Sequence, residues 1–281
     1  MRKRDAEQMN RWTWQQLHGL EYITVPSWQD KGLQIAFSTR WGGSSSPPYQ
    51  SLNLGLHVGD DPEKVLQNRR LFVQLFGLGL DAMVSCQQIH GNQVGIVTRQ
   101  HRGKGAYSDH TAIAGWDGMI TNQNDLILTT FYADCIPLFF FDPIKRVIAI
   151  AHSGWKGTYL MIAEKTVQAM VKDMGCLPAD IQVFIGPGIG ACCYHIQPDL
   201  VQKVRGRFRD FSDIIYEDEQ GYTWDLKATN EQILMMTGIP GDNIITCPLC
   251  TSCNPERFFS YRREEGLTGR MGAAIALKET R

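Results

Sequence analysis

Four near-continuous apolar runs in the middle of the chain limit the folds open to it: 126–132 (LILTTFY), 137–141 (PLFFF), 147–151 (VIAIA) and 181–185 (IQVFI). Each is strand-length, and none alternates between apolar and polar residues. Strands of that kind are buried on both faces, so layers must cover the sheet above and below. Between the third and fourth runs lies an amphipathic stretch, about 158–174, closed by Gly175 where a helix C′ residue is expected. Strand, helix and strand in that order imply a parallel crossover. The expected fold class is α/β (α+β layered), with a mixed β-sheet core covered by helices.

The flanking sequence fits one domain over 1–281, with 1–30 a peripheral N-terminal segment. Residues 33–39 (LQIAFST) read as a strand running into Arg40, and the most linker-like piece, GGSSSPP at 42–48, is too short to separate domains. Asp61 and Pro62 form an N-cap and first-turn pair for a helix to about Phe76. Val65, Phe72 and Phe76 share one face of it, and Asn68 and Arg69 fall inside that stripe. Those two side chains either snorkel out at its margin or lend polar groups to an internal site. The basic start, MRKRDAEQMNRWTW, is followed by no apolar signal core, and no run approaches eighteen apolar residues. A cytoplasmic protein is expected. With a net charge of -1, neither nucleic acid nor an anionic membrane is expected as main partner. That balance suits a small-molecule enzyme, as a monomer or homodimer.

Sites in such folds gather at the carboxyl ends of strands. His152 lies there, directly after VIAIA, and opens the loop Ser153-Gly154-Trp155-Lys156-Gly157-Thr158. Two glycines, Lys156 and the start of a helix make that loop a candidate phosphate cradle, although no Walker A pattern is present. Asp134 and Cys135 are a polar pair between two buried strands, where a carboxylate needs a partner. His90 sits in the polar turn QQIHG before a short strand at 94–98. None of these proves a site alone. Together, two imidazoles and a thiolate suit zinc with a fourth position open, but ligands this far apart carry no spacing signature.

A rival metal motif is CPLCTSC, with Cys247, Cys250 and Cys253 at i, i+3 and i+6. No His or Cys follows it, so a closed zinc or iron–sulfur site would need a distant ligand, and ordinary thiols are the expectation. Cys192 and Cys193 are expected as unpaired core residues, since adjacent cysteines rarely form a relaxed disulfide.

Motifs spread along nearly the whole chain identify a family. They are FSTRWGG (37–43), SLNLGLHVGD (51–60), NRR (68–70), QQIHGNQV (87–94), DGMITN (117–122), ADCIPLFFFD (133–142), AHSGWKGT (151–158), IGPGIG (185–190), FFSYRRE (258–264) and TGRMGA (268–273). In this order they resemble the YfiH/laccase-domain family, also called the polyphenol oxidase or multicopper-oxidase-like family of purine nucleoside phosphorylases, and above all its bacillus-type members. The resemblance implies a zinc site held by His90, Cys135 and His152. It implies phosphorolysis of adenosine, inosine, guanosine and methylthioadenosine, and adenosine deamination, so that purine nucleosides and phosphate are the partners. Arg40 and Asn53 match positions that line the family's site; Arg69, Asp134, Lys156 and Arg262 are further candidates. Asp134 is the nominee for proton shuttling, Arg40 and Lys156 for holding phosphate, and Trp155 either stacks on the purine or is buried structure. Ser153 stands where the family usually has Ala, a small change beside the ligand.

The older laccase label fits the residues poorly. A multicopper centre needs closely paired imidazoles, and the seven histidines include no His-x-His pair. Copper is expected only as a substitute for zinc, giving weak polyphenol oxidase activity at most. A different class is a Cys–His hydrolase or amidase acting in peptidoglycan editing, with Cys135 as nucleophile and His90 or His152 as base.

Overall fold

The four apolar runs are strands because each faces two cores at once. A computed structural model describes residues 11–278, in which the runs become Ile127–Tyr132, Ile136–Asp142, Val147–Ser153 and Gln182–Ile185. Along Ile136–Asp142, Phe139 and Phe141 point into one buried cluster and Leu138 and Phe140 into another. Both parities are apolar, so no alternation is visible in the sequence.

The layers are helix, sheet, sheet, helix. One six-stranded sheet runs Thr13–Leu17, Leu20–Thr24, Leu33–Ser38, Met271–Leu277, Ile127–Tyr132 and Met83–Ser85. The other runs Ile244–Thr246, Gln182–Ile185, Ile136–Asp142, Val147–Ser153, Gly118–Thr121 and Val94–Ile96. Phe37 and Leu128 of the first meet Phe139, Ile148 and Phe184 of the second in the central core. Helices Ile162–Met174 and Leu226–Met236 cover the outer face of the second sheet, and Pro62–Gln74 that of the first. The α/β layered class with mixed sheets is therefore correct, with two six-stranded sheets in place of one and a small third sheet of His195–Ile196, Gly221–Trp224 and Ile215–Asp218 beside them.

The crossover is also as expected. Gln182–Ile185 and Val147–Ser153 both pair antiparallel with the strand between them, so they are parallel to each other. The intervening helix is not continuous from 158, however. A short helix, Trp155–Tyr159, is followed by Met161 in the left-handed region (φ 62°), and the long helix starts at Ile162. Gly175 ends it with φ 67°, the conformation a side chain disfavours.

Two local readings need correction. Asn68 and Arg69 are fully buried, so neither snorkels. Asn68 binds Ser44, Ser45, Ser51 and Asn53 of the glycine–serine loop, while Arg69 donates to the carbonyls of Leu54, Gly105 and Ala106. The polar groups serve loop packing. The N-terminal segment is not peripheral over 11–30, because Trp12, Ile23, Val25 and Trp28 lie in the central core; residues 1–10 lie outside the described residues. Among the described residues no helix is long and apolar enough to cross a membrane.

Candidate metal centre

The link between the two sheets carries the thiol. Ala133, Asp134 and Cys135 lead from Ile127–Tyr132 in one sheet to Ile136–Asp142 in the other, and Asp134 takes a positive φ of 88° to make the bend. Pro137 pairs with His152 across the next ladder, which brings the end of that strand beside Cys135. His90 arrives from the turn after Met83–Ser85. The Gln88 amide fixes this turn by donating to Phe131 O and accepting from Phe131 N, both at 2.8 Å, as a strand neighbour would.

The three side chains converge. Cys135 Sγ lies 4.0 Å from His90 Nε2, the two imidazoles meet edge to face at 4.8 Å, and the three ligand atoms lie within 4.8 Å of one another. His152 Nδ1 is held at 2.9 Å by Asp117 Oδ1, which leaves Nε2 for the site. Asp117 also accepts from the backbone N–H groups of His90 (2.9 Å) and Gly91 (2.7 Å). One buried carboxylate thus orients one ligand's ring and another ligand's loop, the usual outer partner of a metal-bound histidine. Burial would raise the pKa of Asp117, but His152 and the two N–H groups hold it below the usual carboxylate range.

Charge is arranged to suit a cation. Burial pushes the Cys135 thiol up, yet His152 and His90 bring it down to about 6. Burial likewise disfavours a charged His152, but the Cys135 thiolate and Asp117 raise it to about 9. Both shifts favour a thiolate beside an imidazolium, a charge arrangement in which a divalent ion would take the place of the proton. The donor set fits zinc, with one position open to the pocket. Asp117→Asn is expected to weaken binding of a divalent metal ion here about 10–100-fold, measured by competition with a chelator. Unchanged affinity would remove Asp117 from the centre.

The centre floors a pocket of about 560 Å³. His90, Asp134, Cys135, His152, Trp155 and Arg262 line it, so these expected residues are brought together. Four others are not. Arg40 pairs with Glu264 at 3.0 Å and lies over Phe259; Asn53 is buried and accepts from the N–H groups of Gly55 and Arg270. Arg69 lies over Phe131 with its Nε and Nη1 donors on carbonyls, and the Lys156 ammonium sits 5.5 Å from the Trp155 ring. None of the four lines the pocket. The helix after His152 is five residues long, too short for the dipole expected of a phosphate cradle. Trp155 is 37% exposed at the rim, not buried structure.

Both oxygens of Asp134 are occupied. Its Oδ1 accepts from Thr251 Oγ1 (2.6 Å), and its Oδ2 from Ser260 Oγ (3.0 Å) and Arg262 N (2.7 Å). Among the lining residues not singled out from sequence are His57, Tyr194, Tyr261 and Arg270. Arg270 lies in TGRMGA, directly after a glycine, but nothing local marks it as a site residue. Burial lowers its pKa, although nearby Cys135, Tyr261 and Asp134 favour the charge. Burial and the Arg270 charge lower the pKa of His57.

The cysteine expectations also change. Cys247 is buried in the central core as anticipated, but Cys192 and Cys253 are exposed, and they meet at 3.4 Å.

The family model described as multi-copper polyphenol oxidoreductase laccase matches residues 34–278. Purine nucleoside phosphorylase YlmD of Bacillus subtilis is 39% identical over 252 residues, 89% of this chain and 90% of that one. The crystal structure of YlmD from Geobacillus stearothermophilus superposes with a TM-score of 0.90 at 37% identity, covering 95% and 99% of the two chains. That of the Bacillus licheniformis hypothetical protein YfiH gives 0.86, also at 37%, covering 92% and 96%.

Proposed function

The chain belongs to the multi-copper polyphenol oxidoreductase laccase family, and from that premise we propose that it is a zinc-dependent purine nucleoside phosphorylase that also deaminates adenosine. Relatives named purine nucleoside phosphorylase support the first activity. Adenosine, inosine, guanosine and methylthioadenosine are the proposed substrates. The observation that carries the reading is the meeting of a His–Cys–His centre, two guanidiniums and an aromatic rim in one pocket.

Phosphorolysis needs an anion held near C1′ of the ribose while the purine departs. Arg262 and Arg270 are the two guanidiniums lining the pocket, and we assign them to phosphate in place of Arg40 and Lys156. The Arg270 guanidinium lies 5.8 Å from the Tyr261 ring, and that of Arg262 lies 5.2 Å from Tyr194. Trp155 and Tyr261, both partly exposed, offer faces for the purine. Asp134 receives three hydrogen bonds, one from the backbone of Arg262; we give it the role of holding that arginine in place, not of moving a proton. A zinc ion on His90, Cys135 and His152 supplies Lewis acidity for the leaving base or for water in deamination.

Arg270→Gln is expected to raise the phosphate KM roughly 30-fold, from losing about 2 kcal/mol of charge-assisted hydrogen bonding. Purified enzyme with adenosine, with and without phosphate, tests this by following adenine, inosine and hypoxanthine. Base release that ignores phosphate, or an unchanged phosphate KM in both Arg262→Gln and Arg270→Gln, would overturn the assignment.

One observation favours a second reading. A thiol beside two imidazoles, with His152 oriented by Asp117, is also the constellation of a Cys–His hydrolase. Copper chemistry has less support. Among the described residues the centre gathers three donors, enough for one ion, and no further histidine-based cluster accompanies it.

A further inference from the structure

We propose that Cys192, Cys193, Cys250 and Cys253 form a second metal site, a closed tetrathiolate for one zinc-class divalent ion. Their sulfurs lie within 4.8 Å of one another, although Cys192 and Cys253 are 61 residues apart in sequence. Cys253 Sγ stands 3.4 Å from Cys192 Sγ and 3.3 Å from Cys193 Sγ. With zinc–sulfur bonds of about 2.3 Å, the edge of a tetrahedral ZnS4 unit is about 3.8 Å, so small shifts seat an ion. Sulfurs this close together do not span a polynuclear iron–sulfur cluster.

The surroundings are those of a thiolate site. Cys250 and Cys253 have the C-x2-C spacing of zinc knuckles, on a turn. Gly190 N–H donates to Cys250 Sγ at 3.2 Å. Two guanidiniums border the cluster: Arg263 donates to the carbonyls of Thr251 (2.8 Å) and Ser252 (3.0 Å), and Arg262 to that of Cys193 (3.4 Å). Four thiolates outweigh the charge of one divalent ion, and flanking arginines offset the excess. A disulfide explains less. Cys253 approaches two adjacent cysteines almost equally, and a pair formed with either leaves the other thiols idle.

The ion would join two segments that otherwise meet through few bonds. Gly188 and Cys250 form an isolated bridge, Ile189 N–H donates to Asp134 O at 2.8 Å, and Thr251 donates to the Asp134 carboxylate. The second metal would therefore fasten the pocket wall that carries Asp134 and Arg262, with no open position for substrate.

The test is metal content of anaerobically purified full-length protein, with cobalt substitution as the spectroscopic probe. Wild type should hold two ions per chain. His90→Ala/His152→Ala and Cys192→Ser/Cys253→Ser should each hold one, and only the former should keep the intense sulfur-to-cobalt charge-transfer bands of a tetrathiolate. Cys192 and Cys253 are exposed, so their replacement leaves the core intact; thermal unfolding verifies it. One ion per chain in wild type, undiminished in Cys192→Ser/Cys253→Ser, would overturn the proposal. So would non-reducing mass spectrometry that finds these cysteines as disulfides in the isolated protein.

Discussion

Cys135→Ser is expected to lower nucleoside phosphorolysis roughly 10³-fold, the effect of losing about 4 kcal/mol of Lewis-acid stabilisation. The substitution removes the only thiol from a centre whose other donors are imidazoles, and leaves Asp117 as the one remaining group that raises the His152 pKa. Serine is nearly isosteric, so the backbone bend at Asp134 and the ladder from Ile136 persist. Steady-state rates with inosine and phosphate, alongside metal content, check it. Activity within tenfold of wild type would remove Cys135 from the reaction. The loss alone does not separate a metal ligand from a nucleophile, but two further measurements do. A Cys–His hydrolase keeps amide cleavage after metal removal and loses it to a thiol alkylator. A metallophosphorylase loses base release on chelation and recovers it with zinc.

Arg69→Met is expected to cost about 3–5 kcal/mol of stability, because three buried carbonyls lose their donor. Burial pulls the Arg69 pKa down to about 9, a measure of how unfavourable its surroundings are for charge. The compensation is the set of bonds to Leu54, Gly105 and Ala106 and the Phe131 ring 4.5 Å away. Methionine fills similar volume but satisfies none of those acceptors. At roughly 2–4 °C per kcal/mol for a chain near this size, the melting temperature should fall about 10 °C. A substrate-binding Arg69 makes a different forecast, a raised phosphate KM with little change in melting. Calorimetry and kinetics on one variant therefore decide between scaffold and site.

The sequence carried the layered fold well, because what made it readable was local. Runs such as VIAIA and PLFFF are apolar on both parities only when both faces are covered, and Asp61–Pro62 and Gly175 mark helix ends by their own backbone chemistry. The three donors of the centre were legible as residue types, but their grouping was not. His90, Cys135 and His152 lie far apart in sequence, and it is the ladder register, the Gln88 clasp and the Asp117 carboxylate that bring them together. Asp117 and Arg270 were missed for the same reason, since an acid before a strand and an arginine in a small-residue loop look like solvated surface. Asn68 and Arg69 misled in the opposite direction, having the polarity of a site and the duty of a loop anchor. The four clustered thiols were invisible because a search forward from Cys253 finds no ligand; two of the four, Cys192 and Cys193, lie upstream, and Cys247 is not among them.

The narrowest fit in the centre belongs to a residue that donates nothing. A Cβ on Gly154 would come within 2.8 Å of Cys135 Sγ and 3.1 Å of His90 Cδ2. Both neighbours are ligands whose freedom to move away is what the centre has given up. The proposed centre therefore makes a demand at a position that an inventory of donors would pass over. A lineage that kept both histidines and the cysteine but gained one methyl at 154 would inherit every coordinating atom and forfeit the coordination.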